Sequence, residues 1–525
     1  SKTPGSARFL NHAMRVCIAV PSISDFYFSI NRMSALGART VLYITEKAGH
    51  DAVLADFPRL VRRARRIPIH NALSHLKPYL IEETGPASFF TTYKRLGPDP
   101  AECARTIAKI EPDLLLISCF AYAYAEDTLS LARAVHACIP RLSIAVGGAG
   151  ATALPERFLR SEAISFVLTG EAEVNLGDFL HEFVKSDPDY DAVRGLWSKK
   201  SGDLIAASPP RETTAEELQW IHAISPELSG GQRLTAALSR GCPKRCAFCS
   251  NYLCHGRTFR KVPIERVTRG IDSAARAITS RPAETRWRLN LEDDNIFADR
   301  EYARAVIEYA ADRLNSPTIV AENGIDSSFL NSSLLEKLID TGLEQLNLSL
   351  GSVDAQVLSY AHRNETTKKI EELTQQAAAR GVGSTTYFIC GLPGDTGQTV
   401  VGNLLFLASL KTRIGISLFY PTPGIEGFTD KKMFLDASPV LCCASSAYPW
   451  TDTLTTRSLV TAFRLARFIN LLKDPRKAEP HTDLINQTIA KRKLHTWQKS
   501  GPNTKLVEVP NTDRDLAEEV ISQLN

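Results

Sequence analysis

Cys242, Cys246 and Cys249 lie in the run Ser239-Arg-Gly-Cys-Pro-Lys-Arg-Cys-Ala-Phe-Cys-Ser250, spaced C-x3-C-x2-C. Three thiolates this close together can ligate three irons of a cubane iron–sulfur cluster and leave the fourth iron without a protein ligand. An iron left open can bind a small molecule and pass it an electron, whereas a purely structural site closes every position. A Gly directly before the first cysteine and an aromatic directly before the last make the pattern stronger than a lone CxxC pair. The competing reading is a zinc knuckle with Cys254 or His255 as fourth ligand, although tetrahedral zinc sites more often pair two C-x2-C elements.

Cys254 follows shortly, in Asn251-Tyr-Leu-Cys-His-Gly256. It reads either as an incidental buried thiol or as a substrate contact, and His255 as a proton donor or acceptor or an ordinary surface histidine. The adjacent pair Cys442-Cys443 is suggestive because neighbouring cysteines rarely bridge each other and thiolates favour soft metals and metalloids. Two small apolar side chains in a packed segment is the plainer reading. Asp293 and Asp294 are candidate bases or ligand contacts, or exposed loop acids. Glu171 and Glu173 are expected to cap the helix that follows them. Tyr448 and Trp450, flanking Pro449, read as a pocket wall or as core packing.

The chain around these residues has 525 positions, room for two or three domains, with 44% hydrophobic and 23% charged residues, the balance of a globular enzyme. A net charge of +4 implies neither a nucleic-acid partner nor an anionic membrane. The basic run Arg62-Arg63-Ala64-Arg65-Arg66 reads as a solvated helix face. The most apolar stretch, Leu114 to Ala125, is too short to span a bilayer. The first residues, Ser1-Lys-Thr-Pro-Gly-Ser-Ala-Arg8, lack the apolar core of a signal peptide, and 11 cysteines, an odd number with eight of them scattered, suit a reducing compartment, so a cytoplasmic location is expected.

Two α/β series position the motifs. In the first, Arg15–Val20, Arg39–Thr45, Asp113–Ser118, Leu142–Gly147 and Ile164–Leu168 read as strands, with helical patterns such as Asp127–Cys138 and Glu173–Lys185 between them. Apolar strands separated by helices predict a doubly wound parallel sheet covered on both faces. Residues 50–98 fit this plan poorly and read as an insertion. A hairpin around Ser201-Gly202 and linker-like stretches at Ser208-Pro-Pro and Ser229-Gly-Gly-Gln follow. In the second series, Leu234–Leu238, Arg286–Leu291, Thr318–Ala321, Gln345–Leu350, Ser384–Ile389 and Ile414–Phe419 are strands, with helices at 263–279, 299–313, 327–341, 366–380 and 397–410. Six such strands predict a partial (β/α)6 TIM-type barrel with its active site at the strands' C-terminal ends, where the cysteine loop falls. The remainder is mainly helical, including Arg457–Leu472. The expected domains are 14–192, a hairpin and linker at 193–232, the barrel at 233–425, and a C-terminal region at 426–525 that closes the active site.

With these segments in view, the chain resembles the radical S-adenosylmethionine (radical SAM) superfamily, in the branch with an N-terminal cobalamin (B12)-binding-like domain. The resemblance rests on the cluster loop, on Glu292–Phe297, Glu322-Asn-Gly324, Asn347–Asp354, Tyr387–Gly394 and Tyr420–Gly424, and on Gly147-Gly148, Leu154-Pro-Glu156 and Thr169–Glu173. It implies a 4Fe–4S cluster on Cys242, Cys246 and Cys249 whose open iron chelates S-adenosylmethionine. It further implies contacts to that molecule from Phe248, Asp293, Asp294, Ser349 and the Cys390-Gly391-Leu392 backbone. Gly147, Gly148 and Gly170 would admit cobalamin at the crevice of the sheet. The Asp-x-His-x-x-Gly loop that ligates cobalt in many cobalamin proteins is absent, so the domain either binds cobalamin without it or serves as a scaffold.

The expected activity is reductive cleavage of S-adenosylmethionine with transfer of a methyl or alkyl group to a small molecule of specialised metabolism. It would need an electron donor such as flavodoxin or ferredoxin, and no nucleic acid or membrane. A second reading has the 3-amino-3-carboxypropyl group transferred to a soft acceptor, such as arsenic, held by the thiols of Cys254, Cys442 or Cys443. A third is a non-catalytic cluster or cobalamin sensor.

Overall fold

In the computed structural model, which describes residues 13–27, 34–220, 224–227, 233–279, 287–500 and 503–524, the N-terminal apolar runs become a parallel sheet. Strands β1 (Arg15–Val20), β2 (Asp51–Asp56), β3 (Leu114–Ser118), β4 (Ser143–Gly147) and β5 (Phe166–Leu168) lie in the order β5-β4-β3-β1-β2. The pleat sends alternate residues to opposite faces. Val16, Ile18 and Leu116 enter one apolar core, and Cys17, Ala19, Leu115 and Ile117 enter the other. Helices therefore cover both faces of a doubly wound sheet whose order reverses between β1 and β3.

Two expectations change here. Arg39–Thr45 is not a strand but part of helix α1 (Leu36–Lys47). Its β-branched run suggested a strand, but β1 and β2 are parallel and need a crossover, which this segment supplies. The strand falls instead in Asp51–Asp56, inside the stretch read as an insertion. The basic run 62–66 is solvated as expected, with Arg62, Arg63, Arg65 and Arg66 exposed, but it ends in a two-residue strand rather than forming a helix face. The hairpin at Ser201-Gly202 forms as β6 (Leu196–Lys200) and β7 (Asp203–Ala206), and β6 pairs antiparallel with β5, so it extends the sheet. Ser1–Arg8, Ser229-Gly-Gly-Gln, Phe28 and Arg286 lie outside the described residues.

The second series opens with β8 (Ile224–Glu227), antiparallel to β9 (Arg233–Ala236). Then β9, β10 (Arg288–Leu291) and β11 (Thr318–Val320) run parallel. A parallel bridge from Ile319 to Leu343 carries the arc into β12 (Gln345–Gly351), β13 (Gly383–Cys390) and β14 (Arg413–Leu418), also parallel. Helices Ile264–Thr279, Arg300–Arg313, Ser332–Thr341, Thr367–Ala379 and Gly397–Ser409 follow the first five strands, as the sequence predicts.

An open barrel leaves an edge strand whose backbone needs partners. Helix Thr456–Leu472 covers it: Asn470 accepts from the Ile414 amide at 2.7 Å and donates to its carbonyl at 2.9 Å. The same helix carries the buried Arg464, which meets Glu83 of the N-terminal region at 2.6 and 2.8 Å. The C-terminal region thus binds both halves of the chain.

Candidate active site

The cysteine run is a closed loop. Its base is the antiparallel pair Ser239–Arg240 with Arg260–Lys261, and between them runs the short helix Asn251–His255. The Asp293-Asp294 pair at the end of β10 fixes this loop. Asp293 Oδ1 accepts from the Leu238 amide at 2.8 Å and the Ser239 hydroxyl at 2.6 Å. Its Oδ2 is buried without a hydrogen bond, and burial pushes the carboxyl up to about 6. Asp294 Oδ2 accepts from the Gly241 amide at 3.0 Å and sits 2.9 Å from His255 Nδ1, while Oδ1 takes the Asn251 amide side chain at 3.0 Å. Burial opposes the charge of Asp294, but His255 and Arg240 outweigh it and hold the carboxyl low. Both carboxylates therefore act first on the loop that carries the cysteines.

Each thiol has its own setting. Asn295 Nδ2 lies 3.6 Å from Cys242 Sγ, and Arg363 Nη1 lies 3.4 Å from Cys246 Sγ. Burial pushes Cys249 up to about 12, so its thiolate requires a compensating cation, which a bound metal supplies. Among the described residues no three His, Cys, Asp or Glu side chains converge as one metal ion would require. Cluster thiolates bind separate irons and need no such convergence. Three thiols from one loop, with donors aimed at two of the sulfurs, fit an iron–sulfur cluster.

The remaining strand ends face this loop. Arg363 also donates to the Ser349 hydroxyl at 3.2 Å and pairs with Glu365 at 2.6 Å and Asp326 at 3.4 Å. Phe248, beside Cys249, packs against the buried cluster of Val357, Ala361, Leu392 and Phe419, as does Trp450. Leu392 follows Cys390, whose thiol burial pushes far up, and Gly391, whose φ of +97° suits glycine. The structure thus brings Phe248, Ser349 and Leu392 to the same end of the barrel as the cysteines.

Gly147, Gly148 and Gly170 line one cavity of about 290 Å³ at the C-terminal ends of the N-terminal strands. Gly148 has φ +102°, and a Cβ there would stand 2.7 Å from the Cys119 carbonyl oxygen. The cavity lies where a doubly wound sheet takes a nucleotide-like ligand, and its walls (Ile18, Leu116, Val146 and Leu168 among them) are largely apolar. The residues present therefore fit the nucleotide end of cobalamin. Cys254, His255 and Arg240 of the cysteine loop line the same cavity. Cys254 Sγ donates to the Gly170 carbonyl at 3.4 Å. Glu171, expected to cap the following helix, makes no such bond; it pairs with buried Arg260 at 2.8 Å. Glu173 lies 3.9 Å from Arg240.

Cys442 and Cys443 part company. Cys442 is buried in the N-terminal core with Phe434, whereas Cys443 lies 3.5 Å from Asp25 Oδ2 and 3.3 Å from the Ser445 hydroxyl. Burial pushes both thiols far up. Tyr448 and Trp450 stack edge-on at 5.0 Å and pack against the core.

Comparison with known proteins agrees with this geometry. The profile of the Radical SAM superfamily matches residues 237–407, the span from the cysteine loop to the helix after β13. That span, about a third of the chain, is similar to the radical SAM superfamily. Among relatives, the cobalamin-dependent radical SAM methyltransferase TokK of Streptomyces tokunonensis is 28% identical over 322 residues, 56% of this chain and 45% of TokK. The cytidylyl-2-hydroxyethylphosphonate methyltransferase of Streptomyces wedmorensis is 22% identical over 59% of this chain and 64% of its own length. The chain thus spans about half the length of TokK. The fold matches the radical S-adenosylmethionine methyltransferase TsrM of Kitasatospora setae with a TM-score of 0.57 at 13% identity, over 78% of this chain and 73% of TsrM. The cobalamin-dependent S-adenosylmethionine radical enzyme OxsB aligns with a TM-score of 0.56 at 15% identity, over 81% of this chain and 55% of OxsB.

Sequence reasoning missed Asn295, Arg363 and Asp25. Asn295 stands one residue past the Asp pair and could have been included with it. Arg363 lies in Ala361-His-Arg-Asn-Glu365, well separated from any cysteine, and only folding brings it to Cys246.

Proposed function

We propose that this chain is a cobalamin-dependent radical SAM methyltransferase acting on a small molecule. The observation that carries the reading is the cavity at the switch point of the N-terminal sheet, which contains all three glycines expected there and is walled by the cysteine loop. Cys242, Cys246 and Cys249 would hold the 4Fe–4S cluster. When bound, the cluster supplies an electron that cleaves a carbon–sulfur bond of S-adenosylmethionine, and cobalamin supplies a methyl carrier.

The chain's own share is binding and exclusion. Asp293 and Asp294 orient the cysteine loop, while Arg363 ties Cys246 to Ser349 across the barrel mouth. The apolar group of Phe248, Leu392, Phe419 and Trp450 keeps water from the ligand beside it. Gly391 leaves its backbone open to close approach. An external one-electron donor of the flavodoxin or ferredoxin type would reduce the cluster. Among the described residues no helix is long and apolar enough to cross a membrane.

Transfer of the carboxypropyl group to a soft acceptor would call for converging thiols. The separate settings of Cys442 and Cys443 favour methyl transfer instead. Anaerobic reconstitution followed by mass analysis tests the reading. S-adenosylhomocysteine with 5′-deoxyadenosine, and a cobalamin absorbance band, are expected. Methylthioadenosine would overturn it in favour of carboxypropyl transfer, and intact S-adenosylmethionine under reducing conditions would favour a sensor. A Cys246→Ala protein with full turnover would remove the cluster from the reaction.

A further inference from the structure

We infer that the cysteine loop completes the wall of the N-terminal cavity, so that cobalamin in the cavity and the cluster on the loop bind cooperatively. This rests on the functional reading above and adds a coupling between its two cofactor sites.

The loop has two working sides. One presents Cys242, Cys246 and Cys249; the other places Arg240, Cys254 and His255 in the cavity wall beside Gly170. The helix Ala149–Ala153, which leaves directly from Gly148, packs on the loop helix Asn251–His255. Cys254 is bonded to the Gly170 carbonyl, and Arg260 at the base of the loop to Glu171 and Thr213. Arg260 also donates to the His255 carbonyl. The Arg260 bonds to Glu171 and Thr213 are buried and the other two partly so, which makes the wall a fixed part of the cavity.

His255 carries the connection onward. Its imidazole meets Asp294, and that one carboxylate holds both flanks of the cysteine run. Oδ2 takes the Gly241 amide, next to Cys242, and Oδ1 takes Asn251, two residues past Cys249. A ligand that presses on the Cys254–His255 wall thereby restrains the cysteines. A cluster that fixes the cysteines fixes the wall in return, since coupling free energy is reciprocal.

The test is a titration of hydroxocobalamin, followed by absorbance, into wild-type protein with the reconstituted cluster, into iron-stripped protein, and into Cys246→Ala. Binding at least about 5-fold tighter to the cluster-loaded protein is expected, with the stripped and Cys246→Ala forms equal. Cobalamin should likewise lower the fraction of iron lost to a chelator. Cobinamide, which lacks the nucleotide tail, should show no difference between loaded and stripped protein. His255→Phe should bind cobalamin but equally in both forms; Cys254→Ala, which removes the bond to Gly170, serves if that variant fails to fold. Equal cobalamin affinity for loaded and stripped wild type, or an equal gain with cobinamide, would overturn the coupling. Absence of cobalamin binding in every form would remove the functional reading itself, and the coupling with it.

Discussion

Arg363 stands with one guanidinium nitrogen 3.4 Å from Cys246 Sγ and the other 3.2 Å from the Ser349 hydroxyl, joining the cysteine loop to the fourth barrel strand. The guanidinium is buried, and burial works against its charge, yet Asp326, Cys246 and Glu365 hold it firmly protonated. A fixed positive charge beside a cluster ligand favours the reduced cluster.

Replacing Arg363 by Met therefore has two expected effects. Leaving Asp326 and Glu365 without their partner should cost about 3–5 kcal/mol of unfolding free energy, measured by denaturant titration. Arg363→Lys, which keeps the charge, should fold better. A redox titration of the reconstituted protein should find the midpoint more negative in the Met variant than in the Lys variant.

Asp293 gives a pH signature. Its carboxyl is raised to about 6 in the folded chain by burial, against an ordinary value near 4. A raised value means that the folded state prefers the protonated acid. The stability this contributes is complete below about pH 4 and is lost as pH rises through about 6. Asp293→Asn keeps an acceptor for Leu238 and Ser239 and does not ionise. Its melting temperature should gain on that of the wild type between pH 4 and 7, by an amount equivalent to at most roughly 3 kcal/mol.

Asp25 gathers five donors: the Phe26 and Tyr27 amides, the Tyr124 and Ser445 hydroxyls, and the Cys443 thiol. Asp25→Ala should lose at least about 2 kcal/mol, because several buried donors are left unpaired. Iodoacetamide mapping should then find Cys443 newly reactive. In the wild type, exposed Cys138 should label first, partly exposed Cys443 later, and buried Cys442 among the last.

At Gly148, a methyl group would meet the Cys119 carbonyl at 2.7 Å, and φ is +102°. Gly148→Ala should weaken cobalamin binding at least tenfold by equilibrium dialysis and lower stability by about 1–3 kcal/mol. Iron content after reconstitution in the absence of cobalamin should stay close to that of the wild type.

Most of the fold could be read from the sequence because period and punctuation agreed with the tertiary structure. The strands at 15–20, 345–351 and 383–390 are runs that nothing else competes for. The segment 39–45 misled because its β-branched residues prefer a strand, while the parallel pairing of β1 with β2 demands a helix there. The cysteine triplet was legible because its ligands are local. Arg363, Asp25 and the Glu171–Arg260 pair were not, since each acts across a long sequence separation that only the folded chain closes. The Asp pair was found by position, but its partners on the loop could not be read from spacing.

The Glu171–Arg260 pair has a consequence for engineering. A barrel cut free at residue 232 would carry Arg260 without Glu171 or Thr213, and Cys254 without the Gly170 carbonyl. The two lobes are therefore not interchangeable cassettes. A chimera that borrows one of them from a relative must carry residues 170–173 and 251–260 as a matched set, or its cysteine loop will lack the seat it folds against.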